Sequence, residues 1–132
     1  TDVRMLVEGE RRRSLRTGDD LVLELDLTAG TPVDDPAVSI TVMTASGLML
    51  SEPSTRDADI SLGRMHGERS IIVRLPDLPL LPGEYQIHCT VSDARRHHVF
   101  DRVHAAVAFD VMAGTPLEQF GTVSLRPAWK VE

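Results

Sequence analysis

Residues 79–93 read PLLPGEYQIHCTVSD, and this stretch decides the fold. Two prolines and a glycine cannot lie inside a helix or a central strand, so residues 76–83 are predicted to form a corner. From residue 85 onward, apolar and polar residues alternate strictly, which is the period of a half-buried strand.

The corner has the form Leu80-x-Pro82-Gly83-x-Tyr85. This spacing is typical of the tyrosine corner of Greek-key sandwiches, where a buried tyrosine returns its hydroxyl to the backbone a few residues upstream. The alternative is an ordinary Pro-Gly turn followed by a core aromatic residue. Either interpretation concerns architecture and not chemistry.

Composition indicates one globular domain. The chain has 132 residues, of which 42% are hydrophobic and 26% charged, and its formal net charge is −6. This acidic balance argues against nucleic acid as a partner, and we interpret the run Arg11-Arg12-Arg13 as a solvated hairpin tip. No apolar run approaches the ~20 residues that cross a membrane, and no signal peptide is recognisable at the start. The lone Cys89, on the apolar side of its strand, builds no disulfide framework.

Further strands follow from the same alternation. The clearest is 21–28, where four leucines alternate with other residues, and we also predict strands at 3–8, 38–44, 68–75, 104–111 and 122–126. Residues 29–36 are predicted to be a crossing loop and 51–67 a poorly ordered loop. No segment has a helical period, so we expect an all-β, antiparallel β-sandwich. It forms a single domain over 1–132, with a hinge at 113–121 and a C-terminal strand and tail at 122–132.

The order and spacing of the turn motifs resemble a known family. The matching pieces are TGDDL at 17–21, VDDP at 33–36, the turn Ser46-Gly47, the corner at 78–85, FD at 100–101, FDV at 109–111, and Gly121-x-Val123 followed by Trp129. Together they are similar to the C-terminal polysaccharide-binding domain of ABC transporters that export O-antigen, the Wzt-type domain. Each piece alone is common in sandwiches.

The resemblance implies an immunoglobulin-like sandwich that, in a longer parent, follows a nucleotide-binding domain. It implies binding of an O-antigen-like polysaccharide for export, association of the parent with a membrane permease, and a cytoplasmic position at the inner face of the plasma membrane. It also implies a homodimer formed by exchange of the C-terminal strand. The glycines and the proline of the 113–121 hinge favour such an exchange.

No binding motif of the family can be carried over, so the candidate site is inferred from the strands. The outer face of three strands should display small and hydrogen-bonding side chains suited to sugar hydroxyls. The candidate glycan-binding residues are Thr41, Gln86, His88, Thr90 and His104, with Ala106 and Ala108 leaving a shallow depression beside them. The alternative is an ordinary solvated face. Trp129 is the one ring available for stacking on a sugar, although a plug at the end of the sandwich is the simpler interpretation.

The sequence does not favour catalysis, a metal or a cofactor. His97, His98 and His104 lack the ligand spacing of a zinc site, and no nucleophile elbow or phosphate loop is present. Asp101 and Asp110 are candidates for a glycosidase pair, but the chain has 20 Asp and Glu residues, so two carboxylates alone do not indicate a catalytic pair. Two further classes remain open: an immunoglobulin-like protein-interaction or spacer module, and a carbohydrate-binding appendage of a secreted enzyme.

Overall fold

The computed structural model describes residues 2–7, 10–93, 95 and 98–131, with side chains for 11–93, 95, 98–103 and 106–131. This part of the chain consists of strands and loops. It contains no helix long and apolar enough to cross a membrane.

In the described residues, nine strands form two sheets. In chain order they are β1 (Asp2–Val7), β2 (Glu10–Arg11), β3 (Ser14–Arg16), β4 (Leu21–Asp34), β5 (Ala37–Thr44), β6 (Met49–Ser51), β7 (Arg64–Leu75), β8 (Gly83–Ser92) and β9 (Val99–Met112). One sheet has the order β2-β1-β4-β7 and the other the order β3-β9-β8-β5-β6. The predicted all-β sandwich is therefore confirmed.

The core lies between the sheets and follows the alternation of the sequence. The four leucines of β4, at 21, 23, 25 and 27, are at most 2% exposed. Facing them, β8 contributes Ile87 and Cys89, and β9 contributes Val107 and Phe109. Residues 21–29 of β4 and 85–91 of β8 bury every second side chain, which is why the pattern identified these strands correctly.

The tyrosine corner is present. Tyr85 is 2% exposed and its hydroxyl donates to the Leu81 carbonyl oxygen at 2.5 Å. Its ring stacks on Phe109, with ring centroids 5.7 Å apart. Burial raises the pKa of the Tyr85 hydroxyl, so it remains a protonated donor. The corner is also tied to an earlier turn, because Thr17 Oγ1 donates to the Leu80 carbonyl oxygen at 2.6 Å.

Replacing Tyr85 by phenylalanine should lower the free energy of unfolding by about 1–2 kcal/mol, because the buried Leu81 carbonyl loses its donor. Urea unfolding followed by circular dichroism measures the change. A variant that unfolds at the wild-type urea midpoint would show that this hydrogen bond does not stabilise the corner.

Two predicted loops are partly strand. β4 continues to Asp34, and its pairing with β7 resumes at Val33 after a register shift that begins at Ala29. A proline fits at position 32 because β1 pairs with β4 only up to Asp26, which leaves the later residues at an edge. The predicted loop 51–67 is likewise more ordered than expected. β7 begins at Arg64, and a bridge between Ser39 and Ser54 ties the preceding segment to β5.

The short strands β2 and β3 were not predicted, and β3 adds one parallel pair to a sandwich whose other described strand pairs are antiparallel. Ser14, Leu15 and Arg16 pair in parallel with the end of β9. Arg12 and Arg13 are exposed, but the run is not the expected hairpin tip, because Arg11 pairs with Leu6 in β2 and the chain crosses from one sheet to the other between β2 and β3. Leu15 is 2% exposed and joins the core, which explains why this arginine-rich segment crosses to the second sheet.

The predicted last strand, 122–126, is not a strand in this structure of one chain. Its single β-bridge joins Val123 to Leu80. Leu81 N donates to the Thr122 carbonyl oxygen at 2.9 Å and Ser124 N to the Pro79 carbonyl oxygen at 2.8 Å. Leu125, in the middle of this segment, is 88% exposed. The segment therefore covers the corner without completing a sheet.

Candidate functional site

The predicted site maps onto the outer face of the five-stranded sheet. β5, β8 and β9 lie side by side, and the register places Thr41 directly opposite His88. Gln86 and Thr90 are the next residues of β8 on that face, because side chains alternate along a strand. Four of the five candidate residues thus share one surface.

The fifth candidate, His104, lies in β9, but its side chain is outside the described residues. Its backbone falls where the pairing shifts, between the pairs Ile87–Val107 and Cys89–Val103. The neighbouring alanines behave as predicted, since Ala106 is half-buried and Ala108 is exposed opposite Gln86. Both positions carry small side chains beside the candidate residues of β8.

This surface is less accessible than the sequence suggested. Thr41 is 8% exposed and Ser39 4%, although both lie on the outer face of β5. Gln86, His88 and Thr90 are partly exposed. A ligand would therefore meet the side chains of β8 first, and Thr41 would contribute from beneath them.

Sequence reasoning missed Arg102. β9 begins at Val99, five residues earlier than predicted, and its register puts Arg102 opposite Thr90. Directly paired residues project to the same side of a sheet, so this exposed arginine borders the candidate surface. Val99 and Val103 are apolar residues within this part of the chain, but the polar residues 94–98 before them made the beginning of the strand difficult to place from the sequence.

The geometry also bears on the catalytic alternatives. Asp101 pairs with Val91 and Asp110 with Glu84, seven positions apart along β8. At ~3.3 Å per residue the two aspartates are about 23 Å apart, too far for a glycosidase pair.

Burial, together with the charge of Asp101, raises the pKa of the Cys89 thiol to about 11, so the thiol is neutral at neutral pH.

The remaining histidines that the structure describes are not grouped with other candidate metal ligands. His98 packs edge-on against the ring of Phe100, with centroids 5.0 Å apart, and His97 lies outside the described residues. Among the residues whose placement is described, no group of three or more His, Cys, Asp or Glu side chains could hold a metal ion.

Trp129 is 88% exposed and does not plug the sandwich in this single chain. It lines an open groove of about 610 Å³ together with Leu117, Val123, Leu125 and Pro127. This apolar groove is formed by the C-terminal segment itself. It is separate from the outer sheet face.

The solved structures to which this chain is similar include a Wzt C-terminal domain. The crystal structure of a Wzt C-terminal domain superposes with a TM-score of 0.83, at 18% identity, covering 99% of this chain and 81% of that one. Two other solved structures match more weakly. A CARDB domain from Pyrococcus furiosus in complex with di-metal ions has a TM-score of 0.46, at 13% identity, covering 86% of this chain and 93% of that one. A β-glucosidase from Listeria innocua in complex with glucose has a TM-score of 0.45, at 10% identity, covering 84% of this chain and 16% of that one.

No curated protein sequence matches the chain significantly. A model of a protein family does match, over residues 1–125, and that family is the Wzt C-terminal domain. The match covers nearly the whole sandwich, including the corner and the strands of the candidate surface. The strong superposition on a solved Wzt C-terminal domain agrees with it in fold. The chain therefore belongs to the Wzt C-terminal domain family.

Proposed function

We propose that this domain binds an O-antigen-like cell-surface polysaccharide and holds it for export by an ABC transporter, without catalysing a reaction itself. The observation that carries the proposal is the family match over residues 1–125. The outer sheet face supports it, because Gln86, His88 and Thr90 offer hydrogen-bonding groups beside small alanines. In the same proposal, a longer parent protein acts at the inner face of the plasma membrane with a membrane permease.

The side chains of this face would replace water in contacts with sugar hydroxyls. Each such hydrogen bond contributes only modestly to the binding free energy, because the sugar hydroxyl gives up a similar hydrogen bond to water when it binds the protein. Affinity would then be the sum of several weak contacts along the sheet. A long polymer suits such a shallow surface better than a small, fully enclosed ligand.

Substituting alanine for Gln86, His88 or His104 should weaken polysaccharide binding by about 1–2 kcal/mol at most, with little effect on stability. Isothermal titration with the cell-surface polysaccharide measures the change, and urea unfolding checks the stability. Ile72→Ala is a matched control, since Ile72 is exposed on the opposite sheet. Full-strength binding by the triple variant would place the site elsewhere.

We further propose that the domain is a homodimer that exchanges its C-terminal segment. The support is the exposure of that segment's apolar side chains, including Phe120, Leu125 and Trp129 at 88% each and Val131 at 97%. The long strand β7 lies at an edge of its sheet and has one side unpaired within the described chain. An exchanged segment would cover both features in both copies.

Sedimentation or light scattering at micromolar concentration should give about 29 kDa, twice the 14.5 kDa of one chain. A chain truncated after Gly114 should be unstable or aggregate, because the corner loses the hydrogen bonds that Leu81 and Ser124 make across it. A clean monomer would contradict the exchange while leaving the sandwich and its sugar-binding face untouched.

A further inference from the structure

A polar cleft of about 360 Å³ opens where β4 passes into β5, and no sequence motif predicted it. Its charged lining residues are Asp35, Arg56, Asp59 and Arg95. They come from three separate stretches of the chain: the β4–β5 turn, the segment after β6, and the turn between β8 and β9. The volume falls within the usual range of small-ligand pockets.

One wall of the cleft is a tightly hydrogen-bonded turn. Ile60 N donates to the Thr55 carbonyl oxygen at 2.8 Å, and Asp57 N donates to Ser54 Oγ at 3.1 Å. The turn is also fastened to β5, since Val38 N donates to Thr55 Oγ1 at 3.0 Å. Arg56 therefore projects from a fixed backbone, which reduces the entropy lost when a ligand binds.

Asp35 builds the opposite wall. Its Oδ1 atom accepts hydrogen bonds from Ser61 Oγ at 2.8 Å and from Leu62 N at 3.0 Å. These donors, the serine hydroxyl first, hold the pKa of the Asp35 carboxyl below its usual value. The Asp35 carboxylate therefore holds residues 61–62 in place through these hydrogen bonds.

The two arginines of the cleft differ from Asp35 in their contacts with the described residues. Within the described part of the chain, neither the Arg56 nor the Arg95 guanidinium makes a hydrogen bond or an ion pair. Guanidinium groups bind carboxylates and phosphates through paired, charge-assisted hydrogen bonds. Beside them, Ile60 is 56% exposed and offers an apolar surface to the C–H face of a sugar ring.

The cleft lies at the end of the proposed sugar-binding face, where the two residues at the junction, Ala37 and Ser92, are buried. Ala37, which lines the cleft, pairs directly with Ser92 of β8. Ser92 is the next outward residue of β8 after Thr90, about 7 Å further along the strand. A glycan lying along β8 would reach the cleft at the end of the sandwich.

We propose that this cleft binds the anionic substituent of a saccharide, a carboxylate or a phosphate, through Arg56 and Arg95, with Ile60 beneath the ring. This inference rests on the proposed polysaccharide-binding function and names a second subsite with its ligand chemistry. The subsite would favour acidic over neutral glycans, although the domain as a whole carries a net charge of −6.

The test is an NMR titration of the ¹⁵N-labelled domain with four probes: glucuronate, glucose 6-phosphate, glucose and inorganic phosphate. At least one acidic sugar should shift the amides of residues 35, 37 and 55–61, and both neutral glucose and inorganic phosphate should bind more weakly. The double variant Arg56→Ala/Arg95→Ala should weaken that binding by about tenfold or more. Arg74→Ala is the control, because Arg74 pairs with Asp20 at the other end of β4.

Each result that would contradict the proposal tests a different part of it. Equal binding of glucose would overturn the anion preference, and equal binding of inorganic phosphate would overturn the saccharide contact. No shift at these amides with either acidic sugar would overturn the subsite. If the wild-type domain still binds the cell-surface polysaccharide in that case, only the subsite is wrong. Failure to bind any saccharide would count against the proposed function itself.

Discussion

Replacing Leu25 by alanine should lower the free energy of unfolding by about 3–5 kcal/mol. Leu25 lies in the part of β4 that is paired on both sides, and it has no exposed surface. β1 pairs on one side of it and β7 on the other, so the backbone around the lost side chain cannot easily collapse inward. The loss therefore combines the transfer free energy of the deleted groups with the cost of a cavity.

Urea unfolding measures the effect, and Ile72→Ala provides the control. Ile72 lies on the neighbouring strand β7 but points outward and is 69% exposed, so its loss should change stability by about 0.5 kcal/mol or less. Similar losses for the two variants would contradict the assignment of the leucine face of β4 to the core.

Replacing Gly114 by alanine should lower the free energy of unfolding by about 3 kcal/mol, through overpacking and a disturbed hydrogen bond. A Cβ atom at this position would overlap the backbone oxygen of Thr17 and lie 2.9 Å from Arg16 Cβ. The segment is held there because Thr115 N donates to the Thr17 carbonyl oxygen at 2.8 Å. The backbone of either segment must move to admit the methyl group.

Gly30→Ala is the matched control for this prediction. Nothing lies within 4 Å of a Cβ atom built on Gly30, which lies in the strand β4. Its substitution should be neutral or slightly stabilising, since alanine restricts the unfolded chain. Thermal unfolding of both variants decides the matter. A Gly114→Ala protein as stable as the Gly30→Ala protein would show that the C-terminal segment does not pack against the 17–18 turn.

The sequence was a reliable guide where one face of a strand is buried. The alternation in β4, β8 and β9 and the spacing around Tyr85 reflect local packing against a single core, so each could be recognised without knowing its neighbours. Pairing partners could not be recognised in that way. The parallel contact between β3 and β9 joins residues almost a hundred positions apart, and three residues carry too little pattern to reveal it.

The candidate face followed from alternation as well, which is why Thr41, Gln86, His88 and Thr90 were found together. Arg102 was missed because the beginning of β9 was placed too late. The Arg56 and Arg95 cleft was missed for a different reason. Its residues lie in loops whose proximity depends on the whole sandwich, and loops have no period from which a shared surface could be inferred.

Titration of the purified domain with the cell-surface polysaccharide of the organism that encodes it tests the central proposal most directly. We predict saturable binding that dextran does not reproduce and that the Gln86→Ala/His88→Ala/His104→Ala variant weakens. Circular dichroism of the same samples shows whether the domain is folded. A folded wild-type domain that binds this polysaccharide no better than dextran would contradict the proposal and favour a protein-interaction or spacer role.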